Sequence, residues 1–252
     1  MDGNDLAHGL WPFFREHLAG ATFTDLTHAF FPGQPKFPDF PDEQRNLLQD
    51  YSRGDSCQVH HYAHVGQWGT HVDPPVHYIE GGRTLDNIPV REMLLPLIIL
   101  DISARVTADP DATPRLDDIV AWESRHGRIP SGSFVALRTD WHRRWPDTTK
   151  MSNRGADGLS HCPGWSPEVL TFLIEERQIA AIGHETLDTD PGLSVSAGDD
   201  GLERYLLSCD RWQIEVMTNL DQVPAAGALI MASWPKPKAG SGFPARVVAI
   251  HR

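Results

Sequence analysis

The sequence predicts an α/β protein: a single compact domain built on a mixed sheet with few helices. Three observations carry that expectation. Two short apolar runs, LIILDI at 97–102 and SFVALR at 133–138, read as buried strands, and the amphipathic stretch PRLDDIVAWESRHG lies between them. A second helix-then-strand pair follows, SPEVLTFLIEERQ and then IAAIGHE. Finally, 252 residues with 40% hydrophobic side chains can bury one sizeable core, and no internal repeat or low-complexity linker divides them.

In chain order, residues 7–19 read as a short amphipathic helix, with Leu10, Phe13, Phe14 and Leu18 on one side. TFTDLT at 22–27 alternates like a strand. FFPGQPKFPDFP at 30–41 cannot be regular, because its prolines remove donors and fix φ; its aromatics still need cover, so it reads as an ordered loop with an apolar face. The first long helix takes Leu116, Ile119, Val120 and Ile129 as its apolar markers. Ser166 followed by Pro167 reads as a capping box opening the next helix. LERYLLSC at 202–209 is a further helix, WQIEVMTNL and ALIMASW are strands, and RVVAIH closes the chain.

Composition excludes several classes. Net charge is −12 with Lys and Arg scattered, so no positive field is available for phosphates and no nucleic-acid partner is expected. Cys57, Cys162 and Cys209 have no CxxC spacing, which reads as a reduced, intracellular chain without a thiolate metal site. The N-terminus lacks the basic and apolar regions of a signal peptide. The most apolar window, MLLPLIILDI at 93–102, is about half a membrane span and contains Pro96. A cytoplasmic protein with no membrane partner is therefore expected.

The chemistry concentrates at 66–79, GQWGTHVDPPVHYI. Most of the thirteen histidines read as ordinary surface or core residues, and His60, His61 and His64 are ambiguous. His71, Asp73 and His77 differ. Positions i and i+2 of an extended chain face the same side, about 6–7 Å apart, so His71 and Asp73 can reach one ion together. Pro74 and Pro75 bend the chain and let His77 return toward the same point, and Gly69 admits a close backbone or ligand. Imidazole and carboxylate suit Zn²⁺, Mn²⁺ or Fe²⁺.

The segment GTHVDPPVH resembles the signature of the cyclase-type metal-dependent hydrolases, which include bacterial kynurenine formamidases and isatin hydrolases. Gly69, Thr70, His71, Asp73, Pro75 and His77 match it. FTDLTHAFFPGQPKFP at 23–38 resembles the family's opening strand and aromatic loop, and VALRTDW at 135–141 its central strand, with Arg138 and Thr139 in pattern. GWSPEVLTFLIEERQIAAIGHETLDTDPG at 164–192 resembles its helix, strand and following loop. The resemblance covers residues 22–252 and leaves residues 1–21 as an N-terminal helical extension. It implies the swivelling β/β/α fold. Two positions depart from the pattern: Gln67 stands where the signature has its first His, and Glu203 where the family has a late His, twelve positions before Glu215.

What the resemblance implies is a hydrolase that cleaves an amide, a formamide or a cyclic amide, of a small and potentially aromatic substrate by metal-activated water. One divalent ion, Mn²⁺ or Zn²⁺, is expected on His71, Asp73 and Glu215. His77 is the expected general base, with a fourth ligand or a supporting hydrogen bond as its alternatives. Glu203 is assigned to catalysis, with ligation or simple burial as alternatives. Gln67, Trp68 and Phe37 are expected to meet the substrate, Gln67 as an amide donor and the aromatics as walls, although each can equally be structural. A homodimer or homotetramer is expected. Two other functions stay open: a metal-assisted cyclase or dehydratase, and a metal- or ligand-binding protein without catalysis.

Overall fold

Residues 8–252 are described by the computed structural model. The strands are β1 (Thr22–Asp25), β2 (Gln44–Gln49), β3 (Val59–Ala63), β4 (His71–Asp73), β5 (Leu94–Asp101), β6 (Phe134–Arg138), β7 (Ala181–His184), β8 (Trp212–Glu215), β9 (Ala228–Ser233), β10 (Phe243–Pro244) and β11 (Arg246–His251). Nine of them form one mixed sheet in the order β1-β11-β9-β5-β6-β7-β8-β4-β10, and β2 and β3 form a separate hairpin. The expected α/β class with a mixed sheet and few helices is what the chain adopts.

β5, β6, β7 and β8 run parallel, which requires a crossover between each pair. The helices Leu116–His126, Pro167–Thr171 and Gly201–Ser208 lie in those crossovers. They cover one face of the sheet, against Ile98, Leu100, Val135, Leu137 and Ile182. The alternate residues Leu97, Ile99, Phe134 and Ala136 belong to a second core with Val72, Trp212, Ile214, Val247 and Ala249. That second core is enclosed because the sheet curls. Leu26, just after β1, accepts from Thr218, just after β8, and donates to Val247. With both faces buried, β5 and β6 show no alternation of polarity, which is why they read as continuous apolar runs.

Gly183 in β7 shows how closely the inner core is packed. A Cβ there would collide with Met217 Sδ and lie 2.7 Å from Phe134 Cζ and 3.0 Å from the Ile214 carbonyl. Gly183→Ala is expected to destabilise the chain by about 1–3 kcal/mol through overpacking, read as a lowered urea midpoint at unchanged m-value.

Several local expectations need correction. The helix at 7–19 falls partly outside the described residues. Its described part is one α-turn, Trp11–Phe13, widening into a π-turn over Phe14–Leu18. Its apolar side is not covered by the chain: Leu10, Trp11, Phe13 and Phe14 are all exposed. In Leu116–His126 the buried pair is Ile119 and Trp122, while Val120 faces outward and Ile129 is buried beyond the helix end. Ser166 does not cap its helix; its hydroxyl donates to the Pro114 carbonyl at 2.7 Å, tying the helix start to the preceding loop. The hairpin β2–β3 went unread because both of its faces are exposed and it has no apolar alternation to detect. Among the described residues no helix is long and apolar enough to cross a membrane.

Candidate metal centre

β4 and β8 pair antiparallel, with His71 opposite Glu215 and Asp73 opposite Gln213. Side chains directly opposite share a face, so these four project together while Val72 and Ile214 enter the inner core. β7 adds a third row, since His184 follows Gly183, which pairs with Ile214. Its Nε2 lies 3.3 Å from Glu215 Oε1. The expected i, i+2 geometry of His71 and Asp73 is therefore present, and the strand register brings Glu215 to it.

His71, Asp73 and Glu215 are all buried, and one ligand atom from each lies within 4.8 Å of the others. His71 Nδ1 is 2.9 Å from the Gly69 carbonyl, which can only accept, so the ring proton sits on Nδ1. Gly69 holds that carbonyl in place at φ +63°, where a side chain would also press on Phe30. Nε2, the nitrogen that faces the two carboxylates, is buried and without a hydrogen-bond partner. It lies 3.2 Å from Asp73 Oδ2 and 3.5 Å from Glu215 Oε2. Three electron-rich atoms thus converge on one point and need positive charge between them. Burial alone would push the His71 imidazole down, but Asp73 and Glu215 raise it to about 9. Burial likewise favours the neutral form of Asp73, yet the His71 ring overrides it and holds the carboxyl well below its ordinary range. One imidazole nitrogen and two carboxylates, all buried, are a donor set that fits a divalent ion.

A wider ring of acid surrounds this point. Gln213 Nε2 lies 2.9 Å from Glu203 Oε1, 3.0 Å from Glu215 Oε1 and 3.3 Å from Asp73 Oδ2, while its carbonyl accepts from Thr189. An amide has two hydrogens, so it cannot satisfy three carboxylates at once. Burial, and then the charge of Glu215, push the Glu203 and Asp188 carboxyls well above their ordinary range. Glu203 comes from the helix Gly201–Ser208, sharing its buried side with Leu206 and Leu207. Asp190 anchors that helix by accepting from the Leu202 and Glu203 amides, each at 3.0 Å. Just past Glu215, Val216 is held at φ +55°, a costly conformation for a β-branched residue. Its amide donates to Thr186 and its carbonyl accepts from Thr70, so neighbouring loops fix the turn that ends β8.

His77 lies on the turn Pro75–His77, outside the triad. Its Nε2 is 3.9 Å from Glu203 Oε1. Both line, with the triad, a cavity of about 230 Å³ that Phe37, Phe40 and Tyr78 also wall. Two expectations fail here. Trp68 does not reach the cavity: it is fully buried, and its indole nitrogen donates to Glu43 at 3.2 Å. Gln67 lines the cavity but is not a free amide donor, because its nitrogen donates to Asp73 Oδ1 at 3.0 Å and to the Ser241 carbonyl at 2.9 Å. Of the other loop aromatics, Phe31 packs edge-on to Trp145 instead of lining the cavity.

Sequence reading missed His184, Gln213, Asp188, Lys36 and Tyr78. Gln213 was accessible in principle, being two positions before Glu215 on the same strand face. Lys36 Nζ donates to the Phe40 and Pro38 carbonyls and lines the cavity, a cation that a proline-rich loop gives no pattern to reveal.

Residues 24–191 match the family model of the putative cyclases. The isatin hydrolase of Roseibium aggregatum is 31% identical over 240 residues, covering 90% of each chain. Among solved structures, isatin hydrolase A from Labrenzia aggregata, bound to benzyl benzoate, is 32% identical, with a TM-score of 0.87 over 96% of this chain and 99% of that one. An isatin hydrolase bound to the product analogue thioisatinate is 27% identical, with a TM-score of 0.87 over 99% of both chains.

Proposed function

This chain belongs to the putative cyclase family, and on that premise we propose that it is a metal-dependent hydrolase opening the C–N bond of a small aromatic cyclic amide of the isatin kind. The observation that carries the reading is the buried Nε2 of His71, which lines a cavity between Asp73 and Glu215 and has no hydrogen-bond partner. The similarity to isatin hydrolases favours a lactam over an open-chain formamide.

His71, Asp73 and Glu215 would hold the ion, Mn²⁺ or Zn²⁺. When bound, it supplies a charge that polarises an amide carbonyl and acidifies water. The chain's own residues do the rest. His77 takes a proton from the attacking water as its oxygen bonds to the amide carbon, then delivers that proton to the nitrogen as the C–N bond breaks. Glu203 faces His77 from the helix Gly201–Ser208, 3.9 Å away, and helps orient the imidazole. Lys36 has three N–H bonds and gives two to backbone carbonyls, leaving one for a substrate oxygen. Phe37 and Phe40, in contact at 5.4 Å between ring centroids, exclude water from one side.

One ion per chain is part of this reading. Gln67 presents its nitrogen to Asp73, so it offers no lone pair from that atom, and Glu203 lies outside the set that converges on His71. Assembly into a homodimer or homotetramer is also part of it, supported by the exposed Leu48, Tyr51 and Tyr62 of the hairpin segment; sedimentation at the mass of one chain would remove it.

The test is to load the purified chain with Mn²⁺ or Zn²⁺ and follow ring opening of isatin beside deformylation of formanilide. Isatin is expected to be hydrolysed, with metal analysis giving one ion per chain. Hydrolysis of neither amide with either ion rejects the hydrolase. Two ions per chain, both needed for activity, reject the single-ion site.

A further inference from the structure

A second chamber adjoins the metal-side cavity. It measures about 700 Å³, and Lys36, Phe37, Leu187 and Asp188 line both, so the two meet along those residues. The metal-side cavity, at about 230 Å³, is smaller than a typical small-molecule site of roughly 300–1,000 Å³, whereas the second chamber falls within that range. A substrate confined to the first would be small; the fold has kept a much larger space directly beside it.

The chemistry of that space is apolar. Phe37, Pro38, Met151, Leu187 and Val195 supply hydrocarbon. Its serine hydroxyls are already engaged: Ser160 donates to the Ser152 carbonyl, Ser152 donates to the Thr149 carbonyl at 3.2 Å, and Ser196 accepts from the Ser160 amide at 2.8 Å. Cys162 adds a thiol whose burial pushes it up to about 11, so it stays neutral. The charged groups are set around this lining: Lys36 and Asp188 at the junction, and Asp39, Asp42 and Arg154 elsewhere along the wall. Asp42 is held by the Gly33 and Glu43 amides, and Arg154 by the Gly158 carbonyl.

Resting on the hydrolase reading above, we propose that this chamber is a substituent-binding subsite and that the substrate is an aromatic amide bearing an apolar, uncharged extension. The reacting carbonyl sits in the small cavity beside His71 and His77. The extension passes Phe37 and Leu187 into the larger one. Specificity is then set in the second chamber, where an apolar substituent leaves water to lie against Phe37, Met151, Leu187 and Val195.

Two measurements on the full-length, metal-loaded chain test this. First, indolines, which have no carbonyl to hydrolyse, are titrated by calorimetry bare, with a benzyl group at each ring carbon in turn, and with a carboxymethyl group. The best benzyl compound is expected to bind about ten- to a hundredfold more tightly than the bare ring, the gain for burying one aromatic substituent. Second, Val195→Trp, which fills the chamber, is expected to remove at least about tenfold of that gain. No gain from benzyl at any position overturns the subsite, and so does tighter binding of the carboxymethyl compound. The first comparison needs no variant, so it stands even if Val195→Trp fails to fold. Neither measurement needs turnover: a benzyl gain without isatin hydrolysis keeps the subsite and removes the hydrolase, and hydrolysis without the gain does the reverse.

Discussion

A His71→Ala variant is expected to retain no tightly bound divalent ion and to lose turnover to background, while keeping its fold. Removing a partner that merely supports a ligand costs about 10–100-fold in metal affinity. Removing the ligand itself, the one nitrogen between two carboxylates, should cost more, on the order of a thousandfold. The fold should persist because His71 contributes little to the apolar core. On β4 the core residue is Val72, which points the opposite way into the cluster containing Ile214 and Trp212. The backbone pairing of β4 with β8 is untouched by the substitution. Metal content per chain, measured beside circular dichroism, decides it. Unchanged metal content in a folded variant would falsify the assignment of His71 as a ligand, and with it the placement of the centre.

The parts of this centre that could be read from the sequence are those held by local geometry. His71 and Asp73 lie two apart on a strand, so their shared direction follows from the period of an extended chain. His77 follows from the two prolines that turn the chain back. Glu215 needed the family pattern, because only the β4–β8 register places it opposite His71. His184 was not legible at all. β7 is buried on both faces, so a polar residue there carries no alternation to mark it. Trp68 misled for a related reason. A large aromatic beside a metal motif suggests a wall, but it is a buried indole whose partner, Glu43, is distant in sequence. The same limit applies to the fold. The apolar runs of β5 and β6 announce themselves, whereas the curl of the sheet depends on contacts such as Leu26 with Thr218 that no local pattern contains.

His77→Ala is expected to keep most of its metal and still lose about 10²–10⁴ in turnover, the range for removing a general acid–base. The reason is position. His77 comes from the turn after β4 and stands outside the buried triad, with its side chain 23% exposed at the cavity wall. Its nearest acidic neighbour is Glu203, at 3.9 Å, and its Nδ1 lies 3.4 Å from the Gln67 amide nitrogen. That amide already donates to Asp73 and Ser241, so it does not lock the ring. An imidazole in such a place can take a proton from water in the cavity and give it up again, which a fully coordinated ring could not. Glu203→Gln should have a smaller effect, because it keeps a polar group of the same size facing His77 and leaves the imidazole in place. Added free imidazole should restore part of the activity of His77→Ala, since the substitution opens space at the wall without altering His71, Asp73 or Glu215. Metal loss in proportion to the lost activity, with no rescue by imidazole, would instead make His77 a ligand.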